Sequence, residues 1–329
     1  MKRKLLIFAI TMVFLASVII TGCEYQVTSP NVIEGTILQT PESHPKQDSQ
    51  AEQTATHSAP SPTDSPVEHI TIKGIEYSTE LTSLELGGCD FSNDDIISLQ
   101  YMKNLTKLTL TSTEINDISP LSALTNLKDL ILFNNTLSDI SALSNLKNLK
   151  SLLIRNCPNI DISPISHLTN LESLRLEETG INDITSLSNL VNLKLLSLGD
   201  NGISDITLLA DLTNLEVLRL YYNDIRDVSP LSALAKLEEI NLSNNHINDI
   251  APLANLTSLK SMNLTGNEIT DLTPLVSLVN LTELCLGSNQ IYDISTLARL
   301  QNLTNVDLEG NPITEWLPVA NVRSVGGRP

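Results

Sequence analysis

The 329-residue sequence predicts an α/β-type repeat solenoid, a rod of stacked coils built around one parallel β-sheet. Three observations carry that prediction. Ten consecutive 22-residue segments, beginning at Leu105, Leu127, Leu149, Leu171, Leu193, Leu215, Leu237, Leu259, Leu281 and Leu303, follow one another without insertion or deletion. They share the pattern L-x-x-L-x-L-x-x-N-x-I-x-D-I-x-P-L-x-x-L-x-N. Within each, apolar positions 4 and 6 alternate with mostly polar positions 3, 5 and 7, the period of a half-buried strand. No such segment can bury its own apolar face, so each must stack on its neighbours.

A fixed period of this length and leucine spacing is the signature of a leucine-rich repeat. Ahead of the repeats, Lys2, Arg3 and Lys4 precede an apolar run, Leu5 to Ile20, too short to span a bilayer. Ile20-Thr21-Gly22-Cys23 follows and resembles the bacterial lipobox, so residues 1–22 read as a signal peptide and Cys23 as the lipidation site. Residues 23–66 are rich in Ser, Thr, Pro, Gln and Glu and cannot bury enough surface to fold. As a flexible tether they would span about 35 Å. Residues 67–104 form an N-terminal cap: Val67 to Tyr77 alternates like an edge strand, and Leu81 to Asn104 is a degenerate coil. Ser92-Asn93-Asp94-Asp95 before Ile96 is a helix start. Residues 105–324 are the ten repeats, with Trp316 sealing the last, and 325–329 are a tail.

Inside a coil each position has an assignable job. Asn at position 9 (Asn135, Asn201, Asn223, Asn245, Asn267, Asn289, Asn311) can satisfy backbone groups where the chain leaves the strand. Asp at position 13 recurs in nine coils, from Asp117 to Asp293. These carboxylates precede short I-x-P-L segments and read as caps of a helical turn, with proline in the first turn. One carboxylate per coil supplies too few oxygens for a calcium cage, so no metal or other cofactor is expected.

The formal charge of −18 excludes a nucleic-acid footprint and argues against the folded part lying on anionic lipid. Cys89 and Cys157 both fall at position 9, three coils apart, too far to bond; Cys285 is at position 5; no disulfide is expected. The histidines are isolated, and no catalytic motif or phosphate-cradling loop is present, so the chain reads as no enzyme.

The N-x-I-x-D-I-S-P-L-x-x-L-x-N-L run, nearly verbatim at Thr113 to Leu127 and Asn223 to Leu237, resembles the internalin-type leucine-rich repeats of Gram-positive bacteria. The resemblance covers Leu81 to Arg323. It implies a curved rod with the sheet on the concave side, 3₁₀ turns on the convex side, and extracellular protein binding through the concave face. The chain departs from the adhesins of that family. Leu317-Pro318-Val319-Ala320-Asn321 lacks the Thr-Gly of a cell-wall sorting signal, and no immunoglobulin-like module follows the repeats. A surface lipoprotein is the closer match.

The face itself is uneven. Positions 3, 5, 7 and 8 of coils two to six include Ile131, Phe133, Leu153, Arg155, Arg175, Glu177, Arg219, Tyr221 and Tyr222. The same positions of coils seven to nine carry Glu239, Asn241, Ser243, Ser261, Asn263, Thr265, Glu283, Cys285 and Gly287. Aromatics and arginine dominate interface hot spots, so Phe133, Arg155, Arg175, Glu177, Arg219, Tyr221 and Tyr222 are the expected partner site. The competing reading is free drift of surface positions, with Arg175 pairing with Glu177 across the sheet. The expectation is a monomeric, lipid-anchored protein-binding module on the outer face of the cell membrane. A structural, envelope-organising lipoprotein without a discrete ligand stays open, as does an adhesin or receptor subunit modulating a neighbouring membrane protein.

Overall fold

The computed structural model describes residues 17–21, 24–28, 67–88 and 91–328. Cys23, residues 29–66 of the tether and Cys89 therefore lie outside the described residues. Strands β1 (Ser17–Thr21) and β2 (Glu24–Thr28) pair in a two-stranded sheet of their own. No helix among the described residues is long and apolar enough to cross a membrane.

The leucine pattern folds as its period requires. Leu108 and Leu110, at positions 4 and 6, are essentially inaccessible, as are Leu105 at position 1 and Leu121 and Leu124 on the return path. Each such side chain contributes about 1.5–3 kcal/mol relative to its exposed state, and the same set recurs coil after coil. The strands stack in exact sequence order into one twelve-stranded parallel sheet. Its first half comprises β5 (Ser83–Gly87), β6 (Lys107–Thr111), β7 (Asp129–Phe133), β8 (Ser151–Arg155), β9 (Ser173–Glu177) and β10 (Leu195–Ser197). Its second half comprises β11 (Val217–Arg219), β12 (Glu239–Asn241), β13 (Ser261–Asn263), β14 (Glu283–Cys285), β15 (Asn305–Asp307) and β16 (Ser324–Gly326). Register follows the repeat without slippage, so Phe133 lies beside Arg155 and Arg155 beside Glu177.

Short 3₁₀ turns close the coils on the opposite side, for instance Ser119–Ala123 and Ser229–Ala233. The Asp column caps them. From Asp117 to Asp293, each of the nine carboxylates accepts the N–H two residues ahead at 2.7–2.9 Å. Glu315 does the same for Leu317 at 2.9 Å. The Asn column ties coils together. Each position-9 amide donates to the position-6 carbonyl of the preceding coil at 2.8–3.1 Å. From Asn201 onward its oxygen also accepts the preceding coil's position-11 N–H at 3.0–3.3 Å. These bonds satisfy backbone groups that would otherwise be buried unpaired.

Both ends differ from the sequence expectation. Val67 to Tyr77 is not one edge strand but a hairpin, β3 (His69–Ile72) and β4 (Ile75–Ser78), outside the main sheet. The chain reverses at Lys73 and Gly74, both at positive φ, which suits the right-handed strand twist. Ile70 and Ile72 cover the first coil, and Lys73 pairs with Asp95 at 3.0 Å. Helix α1 (Asn93–Ile96) starts where expected, with Asp95 accepting the Ser92 N–H at 2.8 Å. At the other end Trp316 packs on the core, as expected of a lid. A twelfth strand, β16, follows and crosses the boundary at 324 that separated repeats from tail. Cys285 is disulfide-bonded, contrary to expectation, and its partner lies outside the described residues.

Candidate binding face of the sheet

Two columns run across the strands on the sheet face. In register at position 5 are Leu153, Arg175, Ser197, Arg219 and Asn241. Position 7 carries Phe133, Arg155, Glu177, Gly199, Tyr221 and Ser243. Position 8 belongs to neither. In all ten coils it has positive φ, from 50° at Tyr222 to 71° at Gly310, because the chain turns out of the sheet there. Tyr222 is thus a rim residue, not a face residue as expected. It is 51% exposed and meets Tyr221 edge-on at 6.2 Å between ring centres. Left-handed backbone is uncommon for a bulky residue, and the other nine coils place Ser, Asn, Glu, Asp or Gly there.

Tyr221 lies flat across its neighbour. A Cβ on Gly199 would fall 2.2–2.5 Å from three of its ring carbons, so only glycine admits the ring. Beneath and beside it, Ser197 is fully buried and donates to Glu177 at 2.6 Å. Glu177 also lies 3.5 Å from Arg155. Arg155 donates through Nε and Nη2 to Glu178 at 2.8 and 2.6 Å, and its guanidinium stands 5.9 Å over the Phe133 ring. Burial works against the Arg155 charge, but the hydrogen bond it donates to Glu178 and the charges of both glutamates outweigh it and raise the pKa.

Arg175 does not pair with Glu177. That carboxylate is already taken by Ser197 and Arg155. Among the described residues Arg175 makes no hydrogen bond or ion pair, and its enclosed Nε has no partner. Burial, and then the nearby charge of Arg219, lower its pKa. Arg219 is itself held, donating to Glu239 at 2.8 Å. The structure thus brings together Phe133, Arg155, Glu177, Arg175, Arg219 and Tyr221, and sets Tyr222 at the edge.

Ser197, Gly199 and Glu178 escaped sequence reasoning, which gave most weight to aromatic and arginine side chains. A glycine one strand from a tyrosine in the same column was the available signal. In the polar coils the short side chains close on their own backbone. Asn241, Asn263 and Asp307 turn back to accept the position-7 N–H of their own coils at 3.0, 3.0 and 3.1 Å.

The family described as Leucine Rich repeats (2 copies) matches residues 103–145, 191–233, 235–277 and 279–321, more than half of the chain. An internalin (inlF) of Listeria monocytogenes is 33% identical, with a TM-score of 0.66, covering 77% of this chain and 89% of that one. The chain belongs to the internalin-type leucine-rich repeat family. Another Listeria monocytogenes protein, the functional domain of InlJ, shares the fold at 23% identity and TM-score 0.61, covering 76% of this chain and 59% of its own. So does the ectodomain of an Arabidopsis thaliana receptor kinase, GASSHO1/SCHENGEN3, at 24% identity and TM-score 0.55, covering 74% and 34%. No curated protein matches the chain in sequence. The internalin-type rod is a fold typical of non-catalytic protein-binding modules.

Proposed function

We propose that this chain is a non-catalytic module that binds a protein partner on its sheet face, displayed outside a bacterial cell by a lipid on Cys23. Tyr222 carries the reading. A half-exposed aromatic is held in left-handed backbone that costs roughly 1–2 kcal/mol, where the other coils place small or polar residues or glutamate. Such an outlier at the edge of an aromatic and arginine cluster marks a site whose residues serve binding rather than stability. Phe133, Arg155, Arg175, Glu177, Arg219 and Tyr221 supply the rest of the surface. They span β7 to β11, about 20 Å at strand spacing, which suits a folded protein or extended peptide.

The test is cross-linking capture on whole cells. A Phe133→Ala, Arg219→Ala, Tyr221→Ala variant should lose its partner, while a Ser261→Ala, Thr265→Ala variant keeps it. Equal capture by both, with folding intact, sinks the binding face. Anchoring is tested separately: Cys23→Ala should abolish labelling by a radioactive fatty acid, and equal labelling of the variant rejects the lipid.

A further inference from the structure

Two buried side-chain atoms on this face lack a hydrogen-bond partner among the described residues, Arg175 Nε and Asn241 Nδ2. Both are donors. Both lie on the position-5 column, with Ser197 and Arg219 between them in register. Both are enclosed, so an incoming group cannot reach them directly, but an arginine whose inner nitrogen has no acceptor is an uncompensated cation that calls for an anion at its outer edge. The other two arginines already have carboxylates, Arg155 from Glu177 and Glu178 and Arg219 from Glu239. Arg175 has none. It is half-buried, and its terminal nitrogens, unlike Nε, are not among the enclosed atoms.

We infer that Arg175 is a subsite for the carboxylate of an aspartate or glutamate side chain, presented by the protein that docks on this face. The inference rests on the binding reading above and adds the chemistry of the partner. A planar guanidinium fork matches a carboxylate in shape, and a charge-assisted bond in a half-buried site is worth more than at open surface. The surrounding carboxylates of Glu177 and Glu239 tolerate one added negative charge better than the two of a phosphate. Phe133 and Tyr221 offer ring faces to the residues flanking the acid. The chain carries a net charge of −18, so an acidic segment is repelled elsewhere and admitted here.

A random peptide library displayed on phage, selected on the full chain at physiological ionic strength, tests this. Counter-selection against the Phe133→Ala, Arg219→Ala, Tyr221→Ala variant keeps only sheet-face binders. The surviving peptides should share an acidic residue. Arg175→Gln should weaken them about tenfold or more, amidating the peptide's acid should do the same, and combining both should cost little extra. If Arg175→Gln fails to fold, Arg175→Lys replaces it, since it keeps the charge and loses the fork. Peptides that bind the face without an acid, or indifferently to Arg175, overturn the subsite and leave the face standing. No surviving peptide overturns both. Stronger displacement by inorganic phosphate than by acetate at matched ionic strength assigns the site to phosphate and refutes the carboxylate.

Discussion

Strands β7 to β11 and β12 to β15 share a register and a leucine core, but their outward faces differ. In the first group, aromatic and arginine side chains reach across strands and lie on one another, Tyr221 over Gly199 and Arg155 over Phe133. In the second, Asn241, Asn263 and Asp307 fold back on their own coils and spend their oxygens on local backbone. Long side chains that bridge strands couple neighbouring coils through the face. Short ones that close on themselves do less of this, although Ser261 still reaches Glu283 on the next strand at 3.4 Å. The repeat frame therefore tolerates two kinds of surface on one scaffold.

The largest effect should show that the frame is indifferent to the face above it. Leu132 and Leu242 occupy position 6 in the two groups and are both fully buried. Leu132→Ala and Leu242→Ala should each cost about 2–5 kcal/mol in urea unfolding, and should agree within about 1 kcal/mol. A much larger cost at Leu132 would mean that the face also stabilises its core. The position-9 column should separate the halves instead. Asn245→Ala removes a side chain donating to three carbonyls and accepting one N–H, a loss of about 1–3 kcal/mol. Cys157, which lacks an amide and donates only weakly at 3.6 Å to the Arg155 carbonyl, should cost less on replacement by alanine. Equal losses would deny the Asn ladder its role.

Gly199→Ala sharpens the contrast at the face. The new methyl must displace the Tyr221 ring, so near-ultraviolet circular dichroism should change and stability should fall by about 1–3 kcal/mol. Gly287→Ala meets a movable Asp307 oxygen at 2.8 Å first and should perturb the protein less. An unchanged aromatic signal in Gly199→Ala would refute the ring's position.

The smallest effect is electrostatic. Glu172 sits between Lys150 and Lys194, each 2.9 Å away, and their hydrogen bonds and charges lower its pKa from 4.5 to about 2. A carboxylate depressed in the folded state contributes stability above pH 4.5, and that contribution is lost as pH falls towards 2. The capping carboxylates Asp139, Asp161, Asp227 and Asp293 are lowered chiefly by the N–H groups they accept, so they act in the same direction. Glu172→Gln should flatten the acid limb of the melting-temperature profile slightly. A steeper limb would reverse the assigned sign.

The sequence alone determined the coil, its core and its caps. A period of 22 with leucine at fixed offsets has one way to bury its apolar groups, and Asp before a 3₁₀ turn has one nearby set of N–H groups to accept. It also picked out the aromatic and arginine stretch of the face, because residue type is visible without coordinates. What only the tertiary structure decided is who meets whom across strands. Arg155 rather than Arg175 holds Glu177, since side-chain reach and competition from Ser197 settle the pairing. Tyr222 faces the rim because position 8 is where the backbone turns left-handed. The hairpin at Lys73 and the closing strand β16 lie outside the repeat, where periodicity has no authority and contact with the exposed end coils sets the conformation.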